Sequence, residues 1–219
     1  MTTAVYLEVG QRRVFASALE WPGWTRAGKT EDAALQALAG NRERYAPVVR
    51  EAGLAVPEDL IDDFAVVERV PGSASTEFGV LGEIANADRK PLSGAQAGRL
   101  AALISASWKI LDRVIAGSPA ELRKGPRGGG RDRDKMVRHV IEAEASYGRQ
   151  LGVRHPPPDL DDAEAIAALR ADLVAAIDQP WDVVELAATG WPPRYAARRI
   201  AWHVLDHAWE MEDRRERGS

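Results

Sequence analysis

Histidine residues near the end of the chain form a pattern that suits a metal ion. His203 and His207 are four residues apart in the segment RRIAWHVLDH. That spacing is slightly more than one turn of an α-helix, so both imidazoles are expected on the same face. A third histidine, His139, lies in another segment with a helical pattern. Neutral imidazole binds Zn, Ni, Cu and Fe(II), and three such ligands leave a coordination position open for water or substrate.

The same histidines have a second interpretation as ordinary core or interface residues. Trp202 and Trp209 flank the pair, and one hydrogen bond would satisfy each imidazole. The zinc-protease motif HExxH does not occur, because HVLDH carries Asp206 directly before its second histidine and no glutamate. The remaining histidine, His155, lies in the proline-rich stretch VRHPPPD and is predicted to be a solvent-exposed loop residue.

Two glutamates are candidate catalytic residues. Glu142 lies one turn after His139, and Glu210 lies one turn after His207. Either carboxylate could hold an imidazole in the tautomer that binds metal, or transfer protons. The alternative for each is an ordinary solvated carboxylate on a helix surface.

A basic, glycine-rich loop, RKGPRGGGRDRD at residues 123–134, precedes the helix that contains His139. Its Arg127 and Arg131 are candidate contacts for an anionic substrate, and a flexible solvated linker is the alternative. The loop lacks the GK[ST] ending of a phosphate-binding P-loop, and no GxSxG nucleophile motif occurs in the chain.

Composition sets wider limits on function. The 219 residues carry a net charge of −4, which argues against bulk binding to nucleic acid or anionic membranes. The absence of cysteine excludes disulfides, thiolate nucleophiles and Cys-ligated metal centres. No apolar run approaches the roughly 20 residues of a membrane span, and the first residues do not form a signal peptide. We therefore expect a cytoplasmic protein with no nucleic-acid or membrane partner.

The spacing of hydrophobic residues changes near residue 88, which divides the chain into two parts. In residues 1–88, AVYLEV and RVFASAL predict a hairpin, and DFAVVERV and EFGVLGEI predict further strands. Thr30 is the expected N-cap of a helix that runs towards Val49, so this half is an α+β module. In residues 89–219, four amphipathic segments predict an all-α four-helix bundle, in which facing positions bring distant side chains together.

The helical half, over about residues 93–215, resembles the DinB-like family of four-helix proteins. DKMVRHVIEAEASYGRQLG is similar to that family's second helix, and YAARRIAWHVLDHAWEMEDRRE is similar to its last helix. By this resemblance, His139, His203 and His207 correspond to the family's metal triad.

The DinB-like resemblance also implies a chemistry. Family members of known activity, such as mycothiol- or bacillithiol-dependent transferases and relatives of maleylpyruvate isomerase, use the metal to activate a low-molecular-weight thiol. The expected cofactors are therefore a divalent metal (Zn, Ni or Fe) and an external thiol, with a small-molecule substrate. Met211 stands where the family often has a further histidine, and GGGRDRD replaces a tryptophan that often precedes the second helix.

The first half resembles the HicB-like antitoxin core over roughly residues 4–70. RVFASALEWPGWTRAGKTEDAALQAL has that family's strand, Pro-Gly turn and helix start. The resemblance implies a module that binds a partner protein. In this chain we expect it to pack on the metal pocket or to present Trp21 and Trp24 at a contact surface.

Two functions from different classes follow. The first is a metal-dependent thiol-cofactor transferase or related hydrolase. The alternative is a non-catalytic binding protein whose bundle forms a homodimer and whose N-terminal module binds a protein partner.

Overall fold

The computed structural model describes residues 2–55, 63–125, 130–182 and 190–215, which form a mixed α/β chain. These residues contain a four-stranded sheet made of β1 (Thr3–Val9), β2 (Val14–Ala18), β3 (Thr25–Gly28) and β4 (Phe64–Pro71). They also contain seven α-helices: α1 (Glu31–Gly40), α2 (Arg42–Glu51), α3 (Ala74–Phe78), α4 (Gly94–Ala116), α5 (Arg133–Arg149), α6 (Ala163–Ile177) and α7 (Pro193–Asp213). None of the helices in these ranges is both long and apolar enough to cross a bilayer.

The sheet has the strand order β3-β2-β1-β4. The predicted hairpin is confirmed: β1 pairs antiparallel with β2, and the register aligns Val5 with Ala18 and Val9 with Val14. Strand β3 pairs antiparallel with β2, whereas β4 pairs parallel with β1 on the other side. All five residues of β2 are buried, so this strand lies in the interior of the molecule.

The predicted helix from Thr30 to Val49 is wrong in length, because the chain forms two helices there. Thr30 does cap α1, since its side chain accepts a hydrogen bond from the Ala33 amide. Asn41 then ends α1 and begins α2, and its carbonyl accepts the first amides of the second helix. The break turns Tyr45 into the core, where its hydroxyl donates to the Pro22 carbonyl over 2.8 Å.

The strand predicted for EFGVLGEI is also wrong. Glu77 and Phe78 complete the short helix α3, which Gly79 ends in the left-handed conformation at φ 87°. The residues that follow, 80–85, form neither helix nor strand, and the buried carboxylate of Glu8 accepts hydrogen bonds from the Gly82 and Glu83 amides. A side chain thus satisfies the backbone groups that a strand partner would otherwise bond.

The N-terminal half packs directly on α7. Gly23, at φ 90°, brings its backbone so close that a Cβ atom there would lie 2.5 Å from Leu205. Trp24 is completely buried and stacks on Tyr45, with ring centroids 5.7 Å apart, so the prediction of a contact surface is wrong for Trp24, whereas Trp21 is partly buried. The domain boundary at residue 88 falls in a 3₁₀ turn, Asn86–Arg89, and stays a prediction.

A buried ion pair joins the segment between the two halves to α7. The Arg198 guanidinium binds the Asp88 carboxylate, and the two side chains are 1% and 0% exposed. The ring of Tyr6 on β1 lies 4.7 Å from the same guanidinium. Such a pair fixes α7 against the segment that contains Asp88, because neither charge has solvent to replace its partner.

Candidate metal centre

Helices α5 and α7 bring the three predicted histidines together. His139 lies in the middle of α5, and His203 and His207 share one face of α7, which packs against it. One nitrogen from each imidazole forms a group whose members all lie within 4.8 Å of one another. In the described residues this is the one group of three or more His, Asp or Glu side chains with metal-ligand spacing.

The spacing of these nitrogens is close to that of ligands on one ion. The Nε2 atoms of His139 and His203 are 3.2 Å apart. Two imidazole nitrogens bound to the same tetrahedral zinc, each at about 2.0–2.1 Å, lie roughly 3.3 Å from each other. The widest separation in the group is 4.8 Å. A side-chain movement of about 1.5 Å would therefore bring all three nitrogens into the coordination range of one zinc ion.

A hydrogen bond with Glu210 determines which nitrogen of His207 is available to bind a metal. The Glu210 Oε2 atom lies 3.2 Å from His207 Nδ1, one turn along α7. With Nδ1–H donating to this carboxylate, Nε2 keeps a free lone pair for a metal. The hydrogen bond to His207 and the nearby Arg214 lower the pKa of Glu210, so the carboxylate is ionised at neutral pH.

Burial and nearby positive charge favour the neutral, metal-binding form of two of these histidines. Burial lowers the pKa of His203 well below its usual range, and the other two histidines, Arg199 and Arg131 lower it further. The pKa of His139 is lowered first by burial and then by the charge of Arg131. Because a metal displaces protons from imidazole, a lowered pKa reduces that competition near neutral pH.

Aromatic side chains and one further arginine complete the surroundings of His203. Tyr147 of α5 and Trp202 of α7 approach its ring with centroids 5.7 Å and 6.2 Å away. Arg199 lies against the same two rings and is only 8% exposed. Sequence reasoning missed Arg199, although its position four residues before His203 places it on the same helix face.

The other predicted site residues differ in how close they lie to the triad. Glu142 is exposed, although its charge acts on His139. Arg131 is exposed and its charge acts on two of the histidines. Arg127 lies outside the described residues. His155 lies in a loop as predicted, but its side chain is partly buried and pairs with Asp172 of α6 over 2.7 Å.

An open groove of about 630 Å³ lies between the N-terminal half and the end of α7. Glu210 forms part of its wall and thereby connects it to the triad. Arg26 and Arg44 also line the groove, and each is paired with an acidic residue of α7 or the end of that helix. The positive charges of these two arginines are therefore neutralised within the groove itself.

Comparison with known proteins identifies no relative: no family model, no curated protein and no solved structure matches the chain. The DinB-like and HicB-like resemblances therefore stay predictions.

Proposed function

We propose that His139, His203 and His207 bind one divalent metal ion, and that the protein is a metal-dependent transferase or hydrolase that uses a mycothiol-type thiol or water. The observation that carries this proposal is the convergence of three imidazole nitrogens within 4.8 Å. A divalent cation held by neutral imidazoles supplies a Lewis acid that lowers the pKa of a water or thiol towards neutrality.

The chain's own residues prepare the site for that chemistry. Glu210 holds His207 in the tautomer whose Nε2 has a free lone pair, which avoids a tautomer change on metal binding through that atom. Arg131 and Arg199 add positive charge around the imidazoles, which favours an anionic ligand. Because the chain has no cysteine, a thiol for this reaction would have to come from a separate molecule.

We also propose that α4, α5, α6 and α7 form a four-helix bundle of DinB-like type. These helices contact one another in a closed ring, because α4 packs on α7 and α6 and α5 packs on the same two helices, while α6 also contacts α7. The ligands then come from α5 and α7, as expected for a site built from facing positions of a bundle.

Metal content measured by plasma mass spectrometry tests this function. We expect about one Zn, Ni or Fe ion per chain in purified wild-type protein and loss of that metal in the variant His207→Ala. The variant His155→Ala is the matched control, because His155 pairs with Asp172 and does not belong to the triad.

A second measurement covers protein purified without metal. Apoprotein incubated with Zn²⁺, Ni²⁺ or Co²⁺ and then desalted should retain one ion and should unfold at a higher temperature. Wild-type protein that retains none of these ions would overturn the proposed function, as would equal retention by the His207→Ala and wild-type chains.

A further inference from the structure

Arg199 is a buried cation next to the proposed metal centre. It lies on α7 one turn before His203 and is 8% exposed. Its guanidinium carbon is 5.2 Å from the ring centroid of Tyr147 and 5.1 Å from that of Trp202. Because these two rings also contact His203, the guanidinium and the imidazole share one aromatic environment.

Arg199 forms a hydrogen bond with the Tyr147 side chain, but no carboxylate in the described part of the chain pairs with it, and its Nη1 atom is buried without a hydrogen-bond partner. The other four arginines in residues 193–215 all bind acidic or carbonyl oxygens, and Arg198, the neighbour in sequence, binds Asp88. A buried charge without a counter-charge is destabilising. An arginine kept in this position is therefore expected to meet an anion that the chain itself does not supply.

We propose that Arg199 binds the carboxylate of a small ligand whose second donor atom binds the metal. This inference rests on the proposed metal site. Four residues along a helix correspond to a rise of about 6 Å, so the carboxyl group and the metal-binding atom must be only a few bonds apart. Guanidinium suits this role, because its paired N–H groups match the two oxygens of a carboxylate.

The charge around the site supports the same ligand class. The three imidazoles are neutral ligands, and Arg131 lies near enough to act on two of them. Against these cations stand Glu142, whose charge acts on His139, and Glu210, which already bonds to His207 and Arg214. A bound divalent ion would leave the site with an excess of positive charge, and a carboxylate ligand that also contributes a metal-binding thiolate or hydroxyl would reduce it.

The test compares two thiols of the same size in cobalt-loaded protein. Mercaptoacetate carries a carboxylate, whereas mercaptoacetamide carries a neutral amide in its place. Binding of each thiol is followed through the visible absorption of Co²⁺ and of the new sulfur–cobalt bond. We expect wild-type protein to prefer mercaptoacetate and Arg199→Gln to lose about tenfold or more of that preference, the size of a charge-assisted hydrogen bond.

Arg138→Gln is the matched control, because it removes an exposed arginine next to His139 on α5. The Arg138→Gln variant should keep the wild-type preference for mercaptoacetate. The Arg199→Lys variant should keep part of the preference that Arg199→Gln loses. An unchanged preference in Arg199→Gln would overturn the proposal, as would the absence of any preference in the wild type. Failure of the wild type to bind Co²⁺ at all would instead refute the metal site, so the two failures are distinguishable.

Thermal unfolding separates a ligand-binding role from a structural one. Because Arg199 has no carboxylate partner, Arg199→Gln should unfold at or near the wild-type temperature. A large loss of stability, or failure of the variant to fold, would show that Arg199 is a structural residue and would overturn the inference.

Discussion

Glu210 offers a direct test of how the metal site is assembled. The variant Glu210→Gln keeps the shape of the side chain but removes the charge that accepts the His207 Nδ1 proton over 3.2 Å. Loss of such an outer carboxylate typically weakens metal binding about 10-fold to 100-fold. The Glu210 side chain is 38% exposed, so water can partly replace it. We therefore expect a decrease in Zn²⁺ affinity of about tenfold, or roughly 1.4 kcal/mol.

The assay is competition for Zn²⁺ between the protein and a chromophoric chelator. Glu212→Gln is the matched control: Glu212 lies on the same helix, is 33% exposed and pairs with Arg44 and Arg215. We expect this control to bind Zn²⁺ as tightly as wild type. The role given to Glu210 would be refuted if the wild type binds Zn²⁺ and the Glu210→Gln and Glu212→Gln variants bind it with equal affinity.

Two further predictions concern stability. Asp88→Ala leaves the Arg198 guanidinium buried without its partner and should cost about 3–5 kcal/mol in urea unfolding, most of which the double variant with Arg198→Met should recover. An Asp88→Ala variant with the unfolding free energy of the wild type would contradict this prediction. Burial raises the pKa of Glu144, which also contacts Arg170 and Trp108, above its ordinary 4.5. The folded chain therefore holds that proton more tightly than the unfolded chain, so this stabilising contribution is present below about pH 4.5 and is lost as pH rises through the raised pKa. Glu144→Gln should flatten the dependence of unfolding free energy on pH from 4.5 upwards, and parallel curves for both proteins would exclude this effect.

Local features of the sequence were sufficient to predict much of the secondary structure. Alternating apolar residues predicted the hairpin of β1 and β2, and the helical period predicted the long helices of the second half. The placement of His203 and His207 on one face follows from helix geometry alone, because residues four apart lie above one another. In each case the decisive interactions join residues that are close in sequence.

Long-range contacts decided the features that sequence reasoning missed. The segment after Gly79 is not a strand, because Glu8, some seventy residues earlier, binds its amides. Arg198 has a carboxylate partner and Arg199 has none, because the fold places Asp88 next to Arg198. These outcomes depend on which distant groups meet, and a one-dimensional pattern does not contain that information.

The candidate site divides in the same way. The sequence by itself determined that two imidazoles share a helix face, since the period of the α-helix requires it. Only the tertiary structure brought His139 to them, joined Glu210 to His207 and enclosed Arg199 between aromatic rings. The reason is that the packing of α5 on α7 sets the distances between their side chains, and packing is a property of the whole fold.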